Sequence, residues 1–189
     1  APNMGPAGGP AHATMLAYVA TDAAVDRRAL ARIVGEVTER TFNCVTVDQH
    51  TSTSDTFTVL ANGLAGNRTV VGGAELRKFA TALLEVCDSL ARQIARDGEG
   101  ATKLVTVTVT GAKTARDAKL AAEAIANSPR CKTAIHGGDP SWGRFVSAAG
   151  YSGAAMNADR AGCRVGRIAV FRNGQPTRVD LAKVEKVMR

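Results

Sequence analysis

Aromatic side chains are scarce in this sequence: one Trp, two Tyr and five Phe, 4% of 189 residues. That scarcity argues against a protein that grips nucleic acid by stacking bases, since such grooves need a series of aromatic platforms. Histidine is rarer, with three residues, and the four cysteines, Cys44, Cys87, Cys131 and Cys163, are widely spaced with no C-x-x-C pair and no cluster of histidines. No metal centre is expected from such a set, and the thiols read as buried structural groups in a reducing compartment. No run approaches the roughly 18 apolar residues of a membrane span. Residues 1–13 contain no Lys or Arg and no continuous apolar core, which excludes a secretory signal. Acidic residues are outnumbered, 17 against 24 Lys and Arg, giving a formal charge of +7. The basic excess is interleaved with acids, as in Asp26-Arg27-Arg28 and Glu36 to Arg40. A soluble cytoplasmic protein is expected, with neither membrane nor nucleic acid as partner. A basic binding module without catalysis is the alternative that the charge keeps open.

What is present suits one sizeable domain, with 45% hydrophobic residues and no internal repeat. Met15 to Asp22 reads as a strand, and Val25, Leu30, Ile33, Val34 and Val37 follow at helical spacing to about Arg40. Phe42 to Asp48 and Phe57 to Ala61 read as strands around the polar loop Gln49 to Asp55. Gly72-Gly73 opens the longest helix, with Leu76, Phe79, Leu83, Cys87, Leu90 and Ile94 on one face until Asp97-Gly98. Valine and threonine alternate from Lys103 to Gly111, which predicts a strand. Thr114 to Asp117 resembles a capping box for an Ala-rich helix ending at Asn127-Ser128-Pro129. Cys131 to His136 reads as a further strand, and Asp139-Pro140 as the start of a helix towards Gly150. Val165 to Phe171, an Asn173-Gly174 turn and a helix from Asp180 close the chain. The pattern predicts an α/β sandwich of mixed or antiparallel sheets with helices outside.

Four places carry candidate chemistry. The run Ala1 to Ala13, rich in Pro and Gly, meets the first strand at Thr14. A Thr hydroxyl beside a strained peptide can attack the preceding carbonyl and move the Ala13 acyl group from nitrogen to oxygen, and water then releases a chain beginning at Thr14. Such a residue combines a nucleophile with its own base, because a free α-amine titrates at about 7.7–8.0. The plain alternative is that Thr14 only begins a strand. His50, Thr51, Ser52 and Asp55 either line a polar site or form a solvated loop, and no catalytic triad follows from their spacing. Glu99, between Gly98 and Gly100, is either a turn acid or a carboxylate that a ligand approaches closely. The glycines before Asp139 suit an anion at a helix start or simple capping.

Taken together, Ala13-Thr14-Met15-Leu16-Ala17-Tyr18, Phe42-Asn43 through Thr51-Ser52-Thr53-Ser54-Asp55, Gly98-Glu99-Gly100-Ala101-Thr102-Lys103 and Asn127-Ser128-Pro129 through Gly137-Gly138-Asp139-Pro140-Ser141-Trp142-Gly143-Arg144 resemble the ornithine acetyltransferase family, also called glutamate N-acetyltransferase. The resemblance implies an N-terminal-nucleophile-like fold and a precursor that cuts itself between Ala13 and Thr14 into α and β chains, usually assembled as an α2β2 heterotetramer. Residues 1–13 would end the α region, and residues 14–189 would be most of the β chain, its C-terminal part missing. The implied activity moves acetyl from N2-acetyl-L-ornithine to L-glutamate in arginine biosynthesis, releasing ornithine; some members also take acetyl-CoA as donor. No cofactor or metal is implied. Thr14 matches the nucleophile, and Glu99 matches a substrate-binding residue. A Thr-Gly oxyanion hole belongs to the α region, so this stretch by itself is expected to be inactive. One departure stands out: Gly5 to His12 separates Ala1-Pro2-Asn3-Met4 from Ala13-Thr14, which the family runs almost together. A hydrolase or aminopeptidase using the same N-terminal Thr is the catalytic alternative.

Overall fold

In a computed structural model of the chain, which describes residues 15–50, 52–98 and 100–189, alternation along β1 (Leu16–Thr21) buries Ala17 and turns Leu16 and Tyr18 outward. β2 (Thr56–Ala61) lies beside it in parallel, in register from Leu16 against Thr56 to Thr21 against Ala61. Parallel neighbours require a crossover, and α1 (Arg27–Arg40) lies within it. Asp26 caps this helix, its Oδ1 accepting from the N–H of Arg28 at 3.0 Å and of Ala29 at 2.9 Å. Ala29, Ile33 and Val37 follow at i, i+4 and form its buried stripe. α2 (Gly73–Arg96), 24 residues long, places Leu76, Leu83, Cys87 and Ala91 in the same core. These elements belong to a first unit that extends to Leu104.

Between α1 and β2 the expected strand from Phe42 to Asp48 does not form. Thr41 Oγ1 donates to the Val37 carbonyl at 2.8 Å, and Phe42–Cys44 make one 3-10 turn. This drops Phe42 into the core at 1% exposure, with its ring 4.9 Å from that of Phe57. One buried aromatic beside a helix end replaces the alternating burial that a strand requires, and Val47 is left exposed. The segment after β2 is stapled back onto the β1–α1 turn by Asn67. Its Oδ1 accepts from Ala24 N–H at 2.9 Å, while Nδ2 donates to the carbonyls of Ala24 at 3.0 Å and Arg68 at 2.7 Å.

The second unit, Val105 to Arg189, contains α3 (Ala115–Asn127), α4 (Pro129–Gly137), α5 (Gly143–Gly150), the antiparallel sheet β3 (Cys163–Val165), β4 (Ile168–Arg172) and β5 (Gln175–Pro176), and α6 (Leu181–Met188). The Thr114 cap is reciprocal: Thr114 Oγ1 accepts from Asp117 N–H at 3.0 Å and donates to the Asp117 carboxylate at 2.7 Å. Cys131 to His136 is helical, against the expected strand. Ser128 Oγ accepts from Cys131 N–H, Pro129 takes the first turn, and Gly138 closes α4 in the left-handed conformation. Val165 and Phe171 lie on two strands with a turn at Gly166-Arg167 between them, and Asn173-Gly174 joins β4 to β5 with both residues at positive φ. Val170, Val184 and Met188 form the core there, with Trp142 stacked on Phe171 at 4.9 Å.

The Val/Thr alternation produces no strand over residues 101–110 among the described residues. A strand is defined by a regular ladder with a neighbour as well as by its own alternation, and the alternation alone does not make one. Helices with one parallel and one antiparallel sheet place the chain in the α/β class with mixed pairing. Of the cysteines, Cys87 and Cys131 are buried, burial pushing both thiols up, whereas Cys44 is exposed. Asn67→Ala removes three hydrogen bonds to backbone at once and is expected to cost about 1.5–4.5 kcal/mol, at roughly 0.5–1.5 kcal/mol per hydrogen bond. Urea unfolding checks it; a midpoint unchanged from the parent would show the staple to be idle.

Candidate functional site

Thr14, Thr51 and Glu99 lie outside the described residues, so the structure reports on the residues bonded to them. Met15 is held at three points. Its N–H donates to Asp55 Oδ1 at 2.8 Å, its carbonyl accepts from Thr56 N–H at 2.8 Å, and its side chain packs on the core around Phe42. The residue after Thr14 is thus fixed to the head of β2, 40 positions away in sequence.

The polar loop before β2 is braced by its own short-range bonds. His50 N–H donates to Asp48 Oδ1 at 2.9 Å, Ser54 N–H donates to Ser52 Oγ at 3.2 Å, and Thr56 Oγ1 donates to the Ser54 carbonyl at 3.3 Å. Ser, Thr and Asp make such bonds readily and so set a loop's path. A Ser52-His50-Asp55 triad does not describe this geometry: His50 is exposed, Ser52 serves a turn and Asp55 serves the Met15 backbone. The sequence placed Asp55 beside a site, but its anchoring role had no local signal, because its partner is distant along the chain.

Around position 99, Asp97 closes α2 and Ala101 N–H donates to the Gly98 carbonyl at 2.9 Å. Gly100 has φ +68°, and a Cβ there would meet nothing within 4 Å, so the backbone angle and not crowding calls for glycine. Among the described residues no group of His, Cys, Asp and Glu is arranged to hold a metal ion, and no helix is long and apolar enough to cross a membrane.

The Asp139 segment of the second unit resolves its two readings towards internal pairing. The Asp139 carboxylate accepts from the hydroxyl and the N–H of Ser141 and pairs with Arg144 at 2.9 Å. Helix α5 itself begins at Gly143, later than the expected Pro140, so Asp139 braces the turn ahead of it. Arg144 also reaches the Arg130 carbonyl at 3.2 Å and ties α5 to α4. A cavity of about 580 Å³ lies by these helix starts, lined in part by Ser128, Arg130, Arg144 and Tyr151.

This arrangement defines an α/β protein with mixed sheets whose first strand starts from a fixed residue. The crystal structure of arginine biosynthesis bifunctional protein ArgJ from Bacillus halodurans has the same fold, with a TM-score of 0.89 at 41% identity over 93% of this chain and 83% of that one. The chain belongs to the ArgJ family, whose model matches residues 1–189. It is 50% identical over 181 residues to arginine biosynthesis bifunctional protein ArgJ of Symbiobacterium thermophilum, covering 95% of this chain and 45% of that protein. It is 51% identical over 159 residues to glutamate N-acetyltransferase of Methanocaldococcus jannaschii, covering 84% and 37%. The chain therefore spans less than half the length of these relatives. The family resemblance read from the four motifs is borne out.

The Asp139 carboxyl is held below the usual carboxylate range, first by the Ser141 hydroxyl and further by Ser141 N–H and Arg144. A depressed pKa contributes stability that is present above the ordinary Asp value, about 3.9, and lost as pH falls through the lowered folded value. Melting curves between pH 2 and 6 should therefore fall less steeply below pH 4 for Asp139→Asn than for the parent. Parallel curves would contradict this role.

Proposed function

We propose that the whole protein is a self-processing glutamate N-acetyltransferase of arginine biosynthesis, working in the cytoplasm, and that Thr14 is both its cut site and its nucleophile. The observation that carries this reading is the three-point anchoring of Met15, the residue bonded to Thr14, in a chain that belongs to the ArgJ family. A nucleophile at a chain start gains most from a rigid element directly behind it.

In the first stage, Thr14 Oγ attacks the Ala13 carbonyl carbon. The C–N bond to Thr14 breaks as the C–O bond forms, the nitrogen gains the hydroxyl proton, and water hydrolyses the ester to give an Ala13 carboxylate and a free Thr14 amine. In the second stage that amine takes the Thr14 hydroxyl proton as Oγ attacks the acetyl carbon of N2-acetyl-L-ornithine. The proton passes to the departing amine, and ornithine leaves. L-glutamate then attacks acetyl-Thr14 through its neutral amine, the ester bond breaks, and N-acetyl-L-glutamate is released. Acetyl-CoA serves as an alternative donor through the same acyl-enzyme, its thiol leaving in place of ornithine. Glu99 contributes a carboxylate to substrate binding, suited to an ammonium group. No metal or cofactor enters the scheme.

The partner is the α chain of the same precursor, in an α2β2 assembly. One feature supports it. Leu16, Tyr18 and Leu60 on the outward side of β1 and β2 are 59%, 62% and 58% exposed, an apolar surface that a further layer would cover.

The test uses the full-length precursor. Thr14→Ala should stay one uncut chain and form no N-acetylglutamate from N-acetylornithine and glutamate, whereas Thr14→Ser should still be cut. Two separate chains from the Ala variant would refute self-processing at this bond. Acetate in place of N-acetylglutamate would favour the hydrolase.

A further inference from the structure

Asp55 is 40 positions from Met15, yet its Oδ1 lies 2.8 Å from the Met15 nitrogen. The bond is half-buried, and a carboxylate acceptor makes it charge-assisted, about twice as strong as a neutral one. On the other side of the same residue, Thr56 N–H holds the Met15 carbonyl at 2.8 Å. The two holding groups are sequence neighbours at the head of β2, so they move as one body.

We infer that Asp55 is a positioning residue for the Thr14 nucleophile, acting through the peptide that joins Thr14 to Met15; the inference rests on the Thr14 reading above. That peptide is planar, and its plane contains the Met15 N–H at one end and the Thr14 Cα at the other. Fixing the Met15 N–H and carbonyl together therefore fixes the plane from which the Thr14 amine and hydroxyl project. Local turns remain for Thr14 to make, but its base and its nucleophile start from a set origin. Short-range bonds from His50 N–H to Asp48 Oδ1 and from Ser54 N–H to Ser52 Oγ shape the loop that leads into Asp55. Before the cut the same anchor holds the downstream side of the Ala13–Thr14 bond. Both the cutting step and acetyl transfer therefore depend on Asp55, although it touches neither reacting carbonyl.

Misplacement of a reacting group by about 1 Å costs on the order of a hundredfold in rate. The α and β chains, expressed separately so that Thr14 is exposed without self-cleavage, are assembled with Asp55, Asp55→Ala or Asp55→Asn. Acetylation of Thr14 by N-acetylornithine and steady-state transfer to glutamate are then measured beside the melting temperature. For Asp55→Ala we expect kcat to fall roughly 10–100-fold, with KM for N-acetylornithine within about twofold of the parent. Asp55→Asn keeps an acceptor oxygen for Met15 N–H and should recover to within about fivefold of the parent kcat. In the uncut precursor, Asp55→Ala should slow cleavage while Asp55→Asn restores it. If the parent carries acetyl on Thr14 and Asp55→Ala matches its kcat, the positioning role falls while the Thr14 mechanism stands. A loss of kcat that Asp55→Asn does not relieve, moving in step with melting temperature in both variants, also overturns it. If the parent never carries acetyl on Thr14, the mechanism falls and the positioning role falls with it.

Discussion

The peptide of Met15, clasped between the Asp55 carboxylate and the Thr56 N–H, is the constraint on which the first unit depends. It sets the register of β1 on β2, and a slip of one residue would exchange Ala17 for Leu16 or Tyr18 on the inward face. The inward set of Met15, Ala17, Val19, Phe57 and Val59 then meets α1 and α2 over Phe42. With so few aromatics, the core is built from one fully buried ring, the aliphatic residues Ile33, Val37, Leu76 and Leu83, and alanines and a cysteine that let helices approach closely.

The second unit depends on capping more than on sheet area. Its strands are short, and helices α3, α4 and α6 each begin on a side-chain cap, from Thr114, Ser128 and Asp180. Asp139, Ser141 and Arg144 extend the same economy to the turn ahead of α5. A small core of Val170, Val184 and Met188 closes against Trp142 and neighbouring apolar groups. Its hydrogen bonds are local, whereas in the first unit the outer side of β1 and β2 leaves Leu16, Tyr18 and Leu60 exposed.

Much of this was legible in the sequence where the signal was local. The helix start at Asp180, the reciprocal Thr114–Asp117 box, the long stripe of α2 and the Asn173-Gly174 turn all act within a few residues, and each appears where the pattern puts it. The structure departs from the pattern in three places. Phe42 to Asp48 has strand composition, but the core takes Phe42 from a helix end, a distant effect. Cys131 to His136 is short enough for either period, and its local Ser-Pro start and Gly-Gly end make it a helix. Lys103 to Gly111 has the alternation, but no strand is formed over these described residues. The motifs identified the family, and Thr14 and Glu99 are what the resemblance implies as site residues, while the link from Asp55 to Met15 needed the fold to be seen at all.

The measurement that bears most directly on the account is the intact mass of the β chain after the assembled protein meets N-acetylornithine in the absence of glutamate. One acetyl group should appear on the β chain, peptide mapping should place it on Thr14, and added glutamate should remove it faster than water does. If acetyl transfer instead requires both substrates together and Thr14 never carries the label, a chain start held for nucleophilic attack is not what this protein uses.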